Sequence, residues 1–165
     1  MYRDIEDLGT ADNYLDEIRE MTNDIQLFDT FSITEIELLC RHMQCYGAPR
    51  NYPLIAEGQD INYLLLILTG WAEIKQAVPG SRMAQLSEVV AGTTIGEMSL
   101  IDGQPDSSSC ITSVPTDFAV LTKDGLNKIL LQSPRLANKL LLALLRKMTR
   151  RLREMDQSYR PLSLH

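Results

Sequence analysis

The residues best suited to chemistry in this 165-residue chain form one run, Gly96-Glu97-Met98-Ser99-Leu100-Ile101-Asp102-Gly103-Gln104-Pro105-Asp106-Ser107-Ser108. Glycine at position 96 lets the backbone approach a ligand closely. Backbone N–H groups that follow such a glycine can face an anion where they open a helix. Ser99, Ser107 and Ser108 add hydroxyls, and Met98 lies between the glycine and the first of them. Asp106 brings a carboxylate into the same run, and two like unit charges about 4 Å apart repel by about 4 kcal/mol at an effective dielectric near 20.

Other reactive residues read as structural. Cys40, His42 and Cys45 form a compact group. Two cysteines five residues apart share a helix face poorly, and no second ligand pair accompanies them, so no metal is expected. The serine run lacks a nucleophile elbow and a neighbouring base. No phosphate loop, dinucleotide fingerprint or His-Glu-x-x-His stands in the chain. These readings exclude the common enzyme classes and leave a binding or interaction protein. Trp71, directly after Gly70 in a strand pattern, reads as packing.

The elements that must position the run are legible from periodicity. Residues 12–50 read as N-terminal helices: Tyr14, Leu15, Ile18 and Met21 recur at helical spacing, and the helical reading continues to about residue 46. Ser32 and Glu35 form a capping box ahead of Ile36, Leu38, Leu39 and Met43. Residues 51–121 change to six short β-prone runs, at 52–56, 63–68, 71–77, 83–90, 109–114 and 118–121, each bounded by turn residues. Helices return over 122–160, first at 124–131 and then in a long pattern from 135 to about 158, entered through Ser133-Pro134. The fold class is mainly β with flanking helices: one domain over 1–165, an antiparallel β-roll or jelly roll carrying the run at 95–109, and a long C-terminal helix.

Charge is uneven along the chain. Residues 1–30 hold nine acids and two bases, and residues 134–160 hold eight bases and two acids, within a net charge of −6. That balance disfavours a general nucleic-acid binder, and the basic segment reads as a solvated helix face. Leu140, Leu144, Met148, Leu152 and Met155 form an apolar stripe longer than a small domain covers, which predicts a dimer helix. No span reaches membrane-crossing length and no leader is evident, so a soluble cytoplasmic protein with reduced thiols is expected.

The run resembles the phosphate-binding cassette of the cyclic nucleotide-binding domain family, in which Gly-Glu opens the cassette and Pro-Arg followed by small residues closes it. Leu27-Phe28, the turn Ala56-Glu57-Gly58-Gln59-Asp60 and the strand Leu64-Leu65-Leu66-Ile67-Leu68 with Thr69-Gly70 fit the same pattern in order. The resemblance implies that Glu97 accepts a hydrogen bond from a ribose 2′-hydroxyl and that positions 106 and 107 meet a cyclic phosphate. Arginine suits that task through its planar donor fork, and here the position is Asp106.

Three arrangements of Asp106 follow: it occupies the anion site itself, it turns outward while Arg151 compensates, or the pocket takes another ligand. Arg151 is expected to pair with Glu97 across the pocket, or else to lie exposed on a basic helix. The function implied is a non-catalytic regulatory module, a homodimer through its terminal helix with a protein partner and no direct DNA contact. Its ligand would be cyclic AMP, cyclic GMP or another anionic nucleotide. The alternative is a ligand-independent dimeric interaction scaffold with a degenerate pocket.

Overall fold

The computed structural model describes residues 5–22, 25–77 and 84–158. The chain opens with strand β1 (Glu6–Thr10), a 3-10 turn at Ala11–Tyr14, helix α1 (Leu15–Glu20), a second 3-10 turn at Gln26–Phe28 and helix α2 (Ile33–Cys40). Ser32 caps α2 as its sequence requires: its hydroxyl accepts from the Glu35 N–H, and the Glu35 carboxylate accepts from the Ser32 N–H at 2.7 Å. The helical reading to residue 46 is corrected. Helix α2 stops at Cys40, and strand β2 (Gln44–Ala48) follows. Met43 and Cys45 are both buried with Gln44 between them, an alternation that suits a strand facing the core.

The β region contains β3 (Pro53–Ile55), β4 (Tyr63–Ile67), β5 (Trp71–Gln76), β6 (Ala84–Val90), β7 (Thr94–Ile95), helix α3 (Glu97–Asp102), β8 (Ser109–Thr112) and β9 (Thr116–Thr122). All six expected strands are present, joined by the two-residue β7. The strands pair antiparallel in two sheets, ordered β1-β2-β9-β4-β7 and β3-β8-β5-β6. The fold is a β-roll with flanking helices.

Strand β4 explains why an uninterrupted apolar run appears in an antiparallel protein. Its residues Leu64 and Leu66 point into the core beneath the helices, with Phe28, Ile36, Leu39, Leu126 and Ile129. Tyr63, Leu65 and Ile67 point the other way into the roll, with Leu54, Val89, Phe118 and Val120. Both faces of this strand are covered, so period-two alternation disappears from its sequence.

Helix α4 (Lys123–Gln132) is capped by Thr122, whose hydroxyl accepts from the Gly125 N–H at 3.1 Å. Helix α5 (Pro134–Ser158) follows, a length of about 38 Å at 1.5 Å per residue. The dimer-stripe expectation is corrected at two positions. Leu140 and Leu144 are 0% and 1% exposed, because the chain's own core covers them. Met148 is half-buried, and Leu152 and Met155 are 59% and 50% exposed. Leu142 and Leu145, also exposed, lie outside the core stripe. Among the described residues no helix is long and apolar enough to cross a membrane.

Candidate functional site

Gly96 sets the geometry of the cassette. It links β7 to α3 at φ +87°, and a Cβ there would lie 2.6 Å from the carbonyl oxygen of Tyr63. An L side chain at this position would face both left-handed strain and a backbone collision. The close approach keeps α3 against β4, and the first turn of α3 places Glu97 and Ser99 inside, at 6% and 2% exposure. Met98, between them, is 54% exposed.

One carboxylate oxygen of Glu97 is engaged by the chain itself. Its Oε1 accepts from the Thr94 hydroxyl at 2.6 Å and from the ammonium of Lys147 on α5. Lys147 also donates to Thr94 Oγ1 at 2.6 Å and to the Thr94 carbonyl oxygen. Burial lowers the Lys147 pKa, against the opposing pull of Glu97. The expected pairing of Arg151 with Glu97 is thus corrected: the cation is Lys147, one helical turn earlier. The turn preceding Arg151 lies deeper, because Lys147 continues the buried line Leu136, Leu140, Ala143 and Leu144. A lysine in register with a buried stripe was the signal that could have identified it. Thr94, 4% exposed, left no such mark.

Asp106 turns inward. It lies half-buried on the wall of the site, where the positive charge of Arg151 and, after it, the nearby Ser99 hydroxyl and Ser107 N–H favour its ionised form. Burial nevertheless raises its pKa, assisted by the nearby charge of Glu97. Its carbonyl oxygen accepts from the Gly58 N–H at 2.9 Å, which fastens the cassette's end to the turn after β3.

These groups surround a cavity of ≈ 60 Å³, with Ile55, Ile74, Ile95 and Cys110 as apolar lining and Glu97, Asp106, Ser108 and Arg151 among its polar groups. Pockets for small ligands are typically ~300–1,000 Å³. Ser107 is exposed, while Ser109 serves the fold by accepting from the Glu57 N–H at 3.0 Å. Cys40 and Cys45 lie in the core, where burial pushes both thiols up to about 12.

The family model for the cyclic nucleotide-binding domain matches residues 48–133, which includes the whole roll from β3 to β9 and all of α4. The chain belongs to the cyclic nucleotide-binding domain family. A cyclic nucleotide-binding domain from Methylobacillus flagellatus is 47% identical, with a TM-score of 0.85 over 100% of this chain and 93% of that one. The catabolite activator protein of Thermus thermophilus is 28% identical, with a TM-score of 0.73 over 84% of this chain and 63% of that one. The CRP-like cAMP-activated global transcriptional regulator of Mycobacterium tuberculosis is 26% identical over 124 residues, 75% of this chain and 55% of that protein. The chain therefore spans about half the length of the curated relatives it matches. This cyclic nucleotide-binding domain keeps the family's roll and its cassette helix, while Asp106 and Lys147 place two of its own side chains at the cassette.

Proposed function

We propose that this domain is a non-catalytic regulatory module that works as a dimer and in contact with a protein partner in the cytoplasm, with its anion site filled by its own Asp106. The observation that carries this reading is the half-buried Asp106 side chain in the lining of a cavity of ≈ 60 Å³, facing Arg151 and close to the Ser99 hydroxyl. An incoming cyclic phosphate would have to displace that carboxylate or accept its charge at close range. At about 4 Å the repulsion is about 4 kcal/mol, and about 1.4 kcal/mol is tenfold in affinity, so a micromolar site becomes millimolar or weaker. The dimer surface would be the exposed apolar side of α5, where Leu145, Leu152 and Met155 follow at heptad-like intervals with half-buried Leu141 and Met148.

Arg151 favours a second reading. It brings a cation to the same cavity and would suit a cyclic nucleotide or another anionic nucleotide once Asp106 swung aside. Calorimetry of the nucleotide-free protein with cyclic AMP and cyclic GMP separates the two. The self-filled site gives no binding heat up to millimolar ligand, and micromolar binding of either compound would replace it with the sensor.

A further inference from the structure

Helix α5 is held to the roll in two different ways along its length. Its first half is fixed by apolar packing, and the fully buried anchors end at Leu144, 1% exposed. By Leu152 the helix is in solvent, at 59% exposure. Between the two, Lys147 carries a polar attachment. An ammonium has three N–H donors. All three have acceptors on the short segment that enters the cassette: Glu97 Oε1, Thr94 Oγ1 and the Thr94 carbonyl.

The attachment is reciprocal. Glu97 is 6% exposed, and a buried carboxylate needs a cation and hydrogen bonds to stay ionised. Lys147 and Thr94 supply both, from α5 and β7 respectively. Lys147 therefore joins the terminal helix, the cassette helix and the roll through polar groups just where apolar anchoring of α5 gives out; Arg150 adds a hydrogen bond to Gln26 Oε1 at 2.8 Å, which reaches the N-terminal segment and not the cassette.

We infer that Lys147 is the positioning residue that fixes the middle of α5 on the roll in the ligand-free chain, through its contacts with Glu97 and Thr94 at the cassette entry. This rests on the reading that the chain's own groups fill the cassette. The exposed seam of α5 beyond Lys147 is then held at one angle to the roll without any signal, ready for a second copy. Lys147 touches no ligand in this role; it acts through Glu97 and Thr94.

The test is amide hydrogen exchange on the full chain and on Lys147→Met, Lys147→Arg, Glu97→Gln and the Lys147→Met/Glu97→Gln double variant. Lys147→Met is expected to raise exchange at 144–157 and 97–100 at least tenfold while β4 and β9 keep their protection. Lys147→Arg should restore most of the protection. The double variant should exchange no faster than the worse single one, because both changes break the same contact. Unchanged exchange in α5 of Lys147→Met overturns the assignment, as does a double variant whose effects simply add. If Lys147→Met does not fold, the double variant, which leaves no uncompensated charge, is compared with Glu97→Gln in its place. Failure here is distinct from failure of the self-filled site, which is read from nucleotide binding to the unaltered protein.

Discussion

The carboxylate of Asp106 lies close enough to the hydroxyl of Ser99, a residue 2% exposed on the first turn of α3, for that hydroxyl to favour its ionised form against the effect of burial. The end of the cassette is thereby folded back onto its beginning. A side chain of opposite charge at position 106 would leave Ser99 and the Ser107 N–H free to meet an anion from outside.

Asp106→Arg should convert the cassette into a cyclic nucleotide site. Removing about 4 kcal/mol of repulsion alone predicts a gain of roughly 1,000-fold in affinity for cyclic AMP. Titration calorimetry of the variant reads it. An affinity no better than that of the unaltered chain would mean that the pocket has lost more than one charge.

Position 96 should tolerate no side chain. Gly96→Ala puts a Cβ 2.6 Å from the Tyr63 carbonyl at φ +87°, and we expect a loss of about 2 kcal/mol or more. Urea unfolding should show a lower midpoint at an unchanged slope. Gly58→Ala is the control, since its φ is also positive, at +76°, yet nothing lies within 4 Å of the added carbon. Its cost should be the smaller of the two.

The two exposures along α5 predict two different phenotypes. Leu144→Asp buries a charge in the helix-side core and should destabilise the fold by several kcal/mol. Leu145→Asp with Leu152→Asp alters only exposed positions, so thermal stability of the monomer should persist while sedimentation shows half the mass. A mass unaffected by the second pair would place the dimer surface elsewhere.

Two carboxylates should respond to pH with opposite signs. Glu35 has its pKa lowered, chiefly by the Lys139 ammonium at 2.7 Å and then by the Ser32 N–H. Its contribution to stability is present above its ordinary pKa of 4.5 and is lost as pH falls through the lower folded value. Asp106 is raised, so ionising it costs stability as pH climbs from 3.8 through its folded value. Denaturant titrations of Glu35→Gln and Asp106→Asn across pH 3–7 should therefore diverge. The Gln variant loses relative to the parent as pH rises, and the Asn variant gains.

How much was legible in the sequence differs from element to element. The capping box at Ser32 and Glu35, the turn glycines and the order of the β runs are local properties, encoded within a few residues, and the folded chain reproduces them. Strand β2 was not legible in the same way. The segment is a strand because Gln44 through Ala48 pair with β9, some seventy residues away, and no local pattern records that partner.

The site divides along the same line. The sequence by itself determined that a cassette of this family is present, that a carboxylate stands at position 106, and that a long helix with an apolar stripe follows. Only the tertiary structure decided that Asp106 faces inward to Ser99, that Leu140 and Leu144 belong to the domain's own core, and that Lys147 rather than Arg151 meets Glu97. The physical reason is that charge and spacing are written along the chain. Which of two cations one turn apart reaches a buried carboxylate depends on the depth at which α5 crosses the roll, and packing across the whole core sets that depth.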